Sequence, residues 1–160
     1  MLDDIDRRLI EILQKDGRTS NADLARQVSM APSAVFERVK RLEQTGVIQG
    51  YGAKVDPRAV ERSLLAFVLV RSDERTGEIS TGEALAREPE VLEVHHVAGQ
   101  DSYLVKVRVK DPEALGRLLR ERFGAICTVR STQSTIALET IKEHWALPID
   151  PAPRKDRVRG

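Results

Sequence analysis

The spacing of apolar residues changes once along this chain, and that change limits what it can fold into. Up to Gly46 they recur every three or four positions: Leu2, Ile5, Leu9, Ile12 and Leu13, then Leu24, Ala25 and Val28, then Val35, Val39 and Leu42. That is the spacing of one face of a helix. From Leu64 onward continuous or alternating apolar runs take over, the pattern of strands. Between the two regimes, residues 47–62 carry Gly50, Gly52 and the pair Asp56–Pro57. The break predicts a small helical domain over 1–50, a strand and linker over 51–62, a mixed domain over 63–145 and a flexible tail over 146–160.

Local punctuation sharpens both halves. Asp3 and Asp6 make a cap pair for the first helix, which Gly17 ends; Ser20 with Asp23 caps the second, as in a capping box. Pro32 suits the first turn of a third helix that stops at Gly46. Three short helices with a tight turn between the last two form a helix-turn-helix, here winged-helix-like, with a short strand expected within Val47–Val55. In the second half, strands are predicted at Leu64–Val70, Val91–Ala98, Ser102–Val109 and Val129–Ile141, with helices at Ser80–Arg87 and from Asp111–Pro112 to Gly124. The βαββαβ order is that of a ferredoxin-like unit, so the fold class is α+β. Tyr103, Val105, Val107 and Val109 are expected under the helices. The first strand is apolar on both sides, with Leu65, Phe67 and Leu69 opposite Ala66, Val68 and Val70. An uncovered row of this kind is a hydrophobic patch, which a homodimer packing sheet on sheet removes.

Composition excludes more than it identifies. The 160 residues carry a net charge of +1 and a single cysteine, Cys127. No intrachain disulfide can form and a reducing compartment fits, so the expected location is the cytoplasm. Charged residues crowd the N-terminus and no apolar run approaches the ~20 residues of a membrane span, so no membrane partner is expected. Cys127 reads as a small packing residue and Trp145 as an anchor for the chain end. His95 and His96 are strand neighbours that point oppositely, and no metal-ligand spacing or phosphate-binding glycine loop occurs. No catalytic residue, metal or cofactor is expected, and the chain does not read as an enzyme. Near-neutral charge also means that nucleic-acid binding must rest on the placement of charge rather than its sum.

That placement is found on the third helix. With Val35, Val39 and Leu42 turned inward, Ser33, Ala34, Glu37, Arg38, Lys40 and Arg41 remain around its outer surface. A recognition helix presents its N-terminal residues to base edges in the major groove of double-stranded DNA. Ser33 and Ala34 allow close approach, Arg38 suits a bidentate contact to guanine, and Lys40 and Arg41 suit phosphates. Glu37 is either a cytosine acceptor or an intrahelical partner of Arg41. Read alone, the segment is equally compatible with the solvated face of a helical bundle.

Ordered motifs remove much of that ambiguity. Asp3–Ile5–Asp6–Arg7, Leu13–Gln14–Lys15–Asp16–Gly17–Arg18, Ser20–Asn21, Leu24–Ala25, Pro32–Ser33, Arg38–Val39–Lys40–Arg41–Leu42–Glu43 and Gly46–Val47–Ile48–Gln49–Gly50–Tyr51 occur in sequence. Ser63–Leu64–Leu65, His96–Val97–Ala98–Gly99, Tyr103–Leu104–Val105–Lys106 and Thr132–Gln133–Ser134 continue the series. Together they resemble the Lrp/AsnC (feast/famine) transcriptional regulators over nearly the whole chain. The resemblance implies dimers through the C-terminal domain that assemble into octamers or larger discs. It also implies an amino-acid effector bound near the turn between the second and third strands, with Gly99, Gln100, Asp101, Ser102, Thr132 and Ser134 as the matching positions.

Two departures from the family pattern stand out. Ala31 replaces the usual serine before the proline, a loss of about 1 kcal/mol of local helix stability that Ser29 or packing is expected to offset. After Gly99 the family commonly has an acid, an aromatic and a polar residue, where this chain has Gln100, Asp101 and Ser102. An acid suits an effector's ammonium group, and neutral Gln100 removes that option at its position. The change reads either as an altered or absent effector preference or as a plain polar turn. A rival reading follows: a DNA-organising, architectural protein of the same fold that answers to no effector.

Overall fold

The structure, a computed structural model, describes residues 2–75, 77–100 and 102–151. Its described residues divide into two compact units: 2–53 with 143–151, and 54–142. The described part of the chain end, residues 143–151, groups with the N-terminal unit.

Helices α1 (Asp4–Lys15), α2 (Asn21–Val28) and α3 (Pro32–Gln44) build the first unit. Asp3 caps α1 in a reciprocal box, its carboxylate accepting from the Asp6 backbone at 2.7 Å while the Asp6 carboxylate accepts from the Asp3 backbone at 3.3 Å. Ser20 caps α2 by accepting from the Asp23 backbone at 3.1 Å. Leu9, Ile12, Leu13, Leu24, Ala25, Val35 and Val39 form one buried cluster against which Ile48 packs. No strand forms over 47–56; the segment opens with a bend at Val47–Ile48 and joins no ladder. Its Tyr51 donates to Glu43 at 2.9 Å, and burial followed by that carboxylate pushes the phenol up to about 12.

The chain end is held on α1 by polar contacts, and Trp145, 65 % exposed, stands against Gly52. Gln14 donates to the Leu147 carbonyl at 3.0 Å and accepts from the Leu147 backbone at 2.6 Å. Arg7 donates to the Asp150 carbonyl at 2.8 Å. The amide of Gln14 thus satisfies both backbone groups of one residue, as a neighbouring strand would. The basic residues Arg154, Lys155, Arg157 and Arg159 lie outside the described residues.

In the second unit a four-stranded sheet has the order β2-β3-β1-β4, with β1 (Leu64–Ser72), β2 (Val91–His96), β3 (Tyr103–Val109) and β4 (Val129–Ile136). All its pairings are antiparallel. Helix α4 (Ser80–Leu85) follows β1, and α5 (Pro112–Arg117) runs on through a widened π turn at Leu118–Arg122 and a 3-10 turn at Phe123–Ala125. Asp111 caps α5, accepting from the Ala114 backbone at 2.8 Å. The helix-side core is the expected one: Ala66, Val68, Val70, Tyr103, Val105, Val107 and Val109 meet Leu85, Leu115, Leu118 and Phe123. On the other face Leu65 is buried, Leu69 half-buried and Phe67 38 % exposed. Strand β4 ends at Ile136, short of the expected Val129–Ile141, with one further bond from the Ala137 N–H to the Leu65 carbonyl. Cys127 is exposed, not packed as its residue type led us to expect. No helix among the described residues is long and apolar enough to cross a membrane.

Candidate nucleic-acid interface and effector turn

Helix α3 is fixed along its inner face by Val35, Val39 and Leu42, none more than 8 % exposed. Its N-terminus starts without a side-chain cap at Ala31. Ser29 does not make up for this: it sits at φ 55° and ends α2 in the left-handed conformation, its N–H bonded to the Ala25 carbonyl. Packing and Pro32 carry the start of the helix instead, since proline at this position is already set for helical φ.

The outer residues separate into two rows. Ala34, Arg38 and Arg41 run at i, i+4 and i+7 along the side that meets α1, where the Asp6 carboxylate is 1 % exposed. Arg38 donates to Asp3 at 2.6 Å and to Asp6 at 2.8 Å, and its side chain is 24 % exposed. Arg41 donates to both oxygens of Asp6, at 2.8 and 2.7 Å. A buried carboxylate needs such partners, because an unpaired charge in the interior is costly. The Asp6 backbone and then the Arg38 guanidinium hold the Asp3 carboxyl below its ordinary value, while Asp3 and then Asp6 raise Arg38. Arg38, expected to read guanine, is thus bonded to the start of α1 in this structure. Arg41 likewise has a partner other than Glu37.

The second row, Ser33, Phe36 and Lys40 at i, i+3 and i+7, is exposed, with Glu37 beside it. Phe36 was missed by the sequence reading, although it lies one position off the Val35–Val39 stripe and so had to point outward. The Lys40 ammonium stands 5.9 Å from the centre of its ring, a cation–π distance.

The turn between β2 and β3 brings only some of the expected effector residues together. Gly99 adopts φ 138°, a conformation that favours glycine. The Gln100 carbonyl accepts from Arg71 at 3.3 Å, and Asp101 lies outside the described residues. Ser102 bonds through its N–H to the Val70 carbonyl at 2.9 Å, and its hydroxyl accepts from the Ser72 hydroxyl at 3.1 Å. Thr132 and Ser134 stand on β4 opposite Val70 and Val68, so strand β1 separates them from β3 and the turn. Both are exposed.

Sequence reasoning gave no place to Glu74, the centre of a polar cluster beside that turn. Its carboxylate accepts from the Tyr103 hydroxyl at 2.8 Å, Ser72 at 3.0 Å, Ser80 at 2.9 Å and the Thr81 backbone at 2.6 Å. Burial alone would raise this carboxyl, but the bonds from Thr81, Tyr103 and Ser80 outweigh it and hold the group at about 2. Ser72 joins the cluster to Ser102, and the Tyr103 ring stacks on His96 with centres 5.1 Å apart. Among the described residues, no group of three or more His, Cys, Asp or Glu side chains is arranged to hold a metal ion.

Comparison with known proteins is consistent along both units. Residues 65–147 match the family profile described as the Lrp/AsnC ligand binding domain, and residues 2–49 match a winged helix-turn-helix DNA-binding profile. The chain is 38 % identical over 150 residues to the leucine-responsive regulatory protein of Escherichia coli K12, covering 92 % of each. It is 37 % identical over 150 residues to an HTH-type transcriptional regulator of Pyrococcus furiosus, covering 93 % of this chain and 97 % of that one. Among solved structures, the leucine response regulatory protein of Mycobacterium tuberculosis is similar with TM-score 0.83 and 40 % identity, over 93 % of this chain and 100 % of that one. A transcriptional regulator of Neisseria meningitidis in complex with L-Met is similar with TM-score 0.84 and 28 % identity, over 94 % and 98 % of the two chains.

Proposed function

Because this chain belongs to the Lrp/AsnC family of transcriptional regulators, we propose that it binds specific duplex DNA through α3 and changes assembly or affinity when a small effector binds. The observation that carries the DNA-binding half is the division of α3 into a row committed to Asp6 and an exposed row of Ser33, Phe36 and Lys40 with Glu37 beside it. Arg38 and Arg41 position the helix; Ser33, Glu37 and Lys40 are the groups left to meet bases and phosphates. In this reading the protein works on DNA in the cytoplasm.

The effector half rests on Gly99, Gln100, Asp101 and Ser102, with Thr132 and Ser134 completing the site. Strand β1 stands between the two groups in one chain, so the site is completed by a second copy. The partly exposed Phe67 and its neighbour Leu69 give that copy an apolar face to cover, and the working unit is a homodimer that builds toward an octamer or larger. An amino acid is the ligand class: an L-Met complex is known for the N. meningitidis neighbour. Neutral Gln100 favours a second reading, an architectural protein that coats DNA without sensing.

Selection of duplexes from a random-sequence library by the full chain, followed by titration of the common amino acids, separates these readings. Site-specific regulation predicts enrichment of one sequence class and a shift of its affinity by at least one amino acid. A thermal-shift panel runs in parallel, since a ligand at ~100 times its Kd stabilises the folded state by about 2.7 kcal/mol. Enrichment without any amino-acid response supports the architectural alternative, and failure to enrich any duplex contradicts specific DNA binding.

A further inference from the structure

We propose that Phe36 is a specificity-determining residue of α3, its ring reading the 5-methyl group of a thymine in the major groove. The inference rests on the DNA-binding reading above and adds to it the class of base read. Phe36 is 48 % exposed and stands outside the apolar cluster that holds α3 to its neighbours. A single exposed apolar side chain is ordinary on a protein surface. This one is set between Ser33 and Lys40 in the row of α3 that faces away from α1, and it is the only large apolar group there.

The chemistry of the rest of the helix gives the ring its importance. The two side chains best suited to a bidentate guanine contact, Arg38 and Arg41, are bonded to Asp6. What remains outward is a hydroxyl, a carboxylate, an ammonium and an aromatic ring. In the major groove each base pair shows a distinct edge, and thymine alone presents a methyl group, which apolar side chains recognise by contact. Lys40 lies over the ring at 5.9 Å, so a phosphate drawn to its ammonium brings the ring to the groove beside that backbone. The pair therefore combines a positioning contact with a base-reading one on adjacent turns of one helix.

The test uses the full chain and duplexes enriched from a random library, in which each thymine of the enriched site is replaced in turn by deoxyuridine, which lacks only the methyl. For the unaltered protein the expected result is a loss of about four-fold at one thymine per half-site, the value of one methyl group withdrawn from water. For Phe36→Ala the same replacement is without effect, while the thermal melt stays that of the parent, which shows that the helix still folds. Phe36→Leu, which keeps an apolar contact, retains part of the sensitivity. Equal affinity of the parent for every uracil-substituted duplex overturns the assignment, as does a Phe36→Ala protein that remains equally sensitive. Absence of any enriched site would remove the DNA-reading premise and the assignment with it; enriched sites indifferent to uracil would remove the assignment alone.

Discussion

Asp6 in the N-terminal unit and Glu74 in the C-terminal unit are both carboxylates drawn away from water, and they are held by opposite means. Asp6 is bound by two guanidinium groups, Arg38 and Arg41, recruited from the helix assigned to DNA. Glu74 is bound by neutral donors, the hydroxyls of Ser72, Ser80 and Tyr103 and the backbone of Thr81. The first arrangement ties α3 to α1 and occupies two of its cations, Arg38 largely covered and Arg41 still half-exposed. The second ties the β1–α4 connection to the start of β3 through neutral donors alone.

The comparison is broken most severely at Asp6. Asp6→Asn is expected to destabilise the N-terminal unit by about 2–3 kcal/mol, under the ~3–5 kcal/mol of stranding a fully buried charge, because both arginines retain access to water. The same variant frees Arg41 and leaves Arg38 to Asp3 alone, so its affinity for random duplex should rise at low salt while thermal unfolding shifts down. An unchanged unfolding temperature would show that the ion pairs do not hold α3.

Crowding tests the two units next. A Cβ at Gly82 would lie 2.6 Å from the Tyr103 ring, which is 2 % exposed and tied to Glu74, so Gly82→Ala should cost about 1–3 kcal/mol. At Gly17 the corresponding contact is 2.9 Å to Tyr51, a half-exposed ring that can swing aside, and Gly17→Ala should cost less. Denaturant unfolding of the two variants checks the order.

Acid sharpens the contrast. The Glu74 carboxyl is lowered on folding to about 2, so its contribution is fully present above the ordinary value near 4.5 and is lost as the pH falls toward 2. Glu74→Gln should therefore be less stable than the parent by about 1 kcal/mol at neutral pH, the scale of its hydrogen bonds. That difference should close between pH 4.5 and 2, where the protonated parent resembles the variant. A difference that persists at pH 2 would assign the loss to packing.

The smallest expected effect is a gain. Ala31 already has the extended backbone of a cap residue, with φ −68° and ψ 141°, so Ala31→Ser should stabilise α3 by about 0.5–1 kcal/mol in a thermal melt.

What was legible beforehand follows from distance along the chain. The Asp3–Asp6 box, the Ser20 cap, the Asp111–Pro112 start and the row Tyr103–Val109 are set by neighbours a few residues apart, and their patterns are written locally. Asp6 bonded to Arg38 and Arg41 spans more than thirty positions, and Glu74 collects donors from β1, α4 and β3. Such pairs exist only after the fold brings their elements together. A partial signal was present for Asp6: it sits three residues before Leu9 on the apolar stripe of α1, and an acid on a buried face requires a cation. Nothing local announced that Gln14 would hold the chain end, because its amide partner is the backbone of Leu147.

The central claim is that the arginines of α3 position the helix while its exposed row meets DNA. It is tested most directly by the salt dependence of affinity for one enriched duplex, measured for the parent, Lys40→Ala and Arg38→Ala at a temperature where all three are folded. Each phosphate contact adds close to one unit to the slope of log K against log salt. The prediction is a slope smaller by about one for Lys40→Ala, and an unchanged slope with lowered thermal stability for Arg38→Ala. The reverse pattern, a reduced slope for Arg38→Ala with stability intact, would contradict the account.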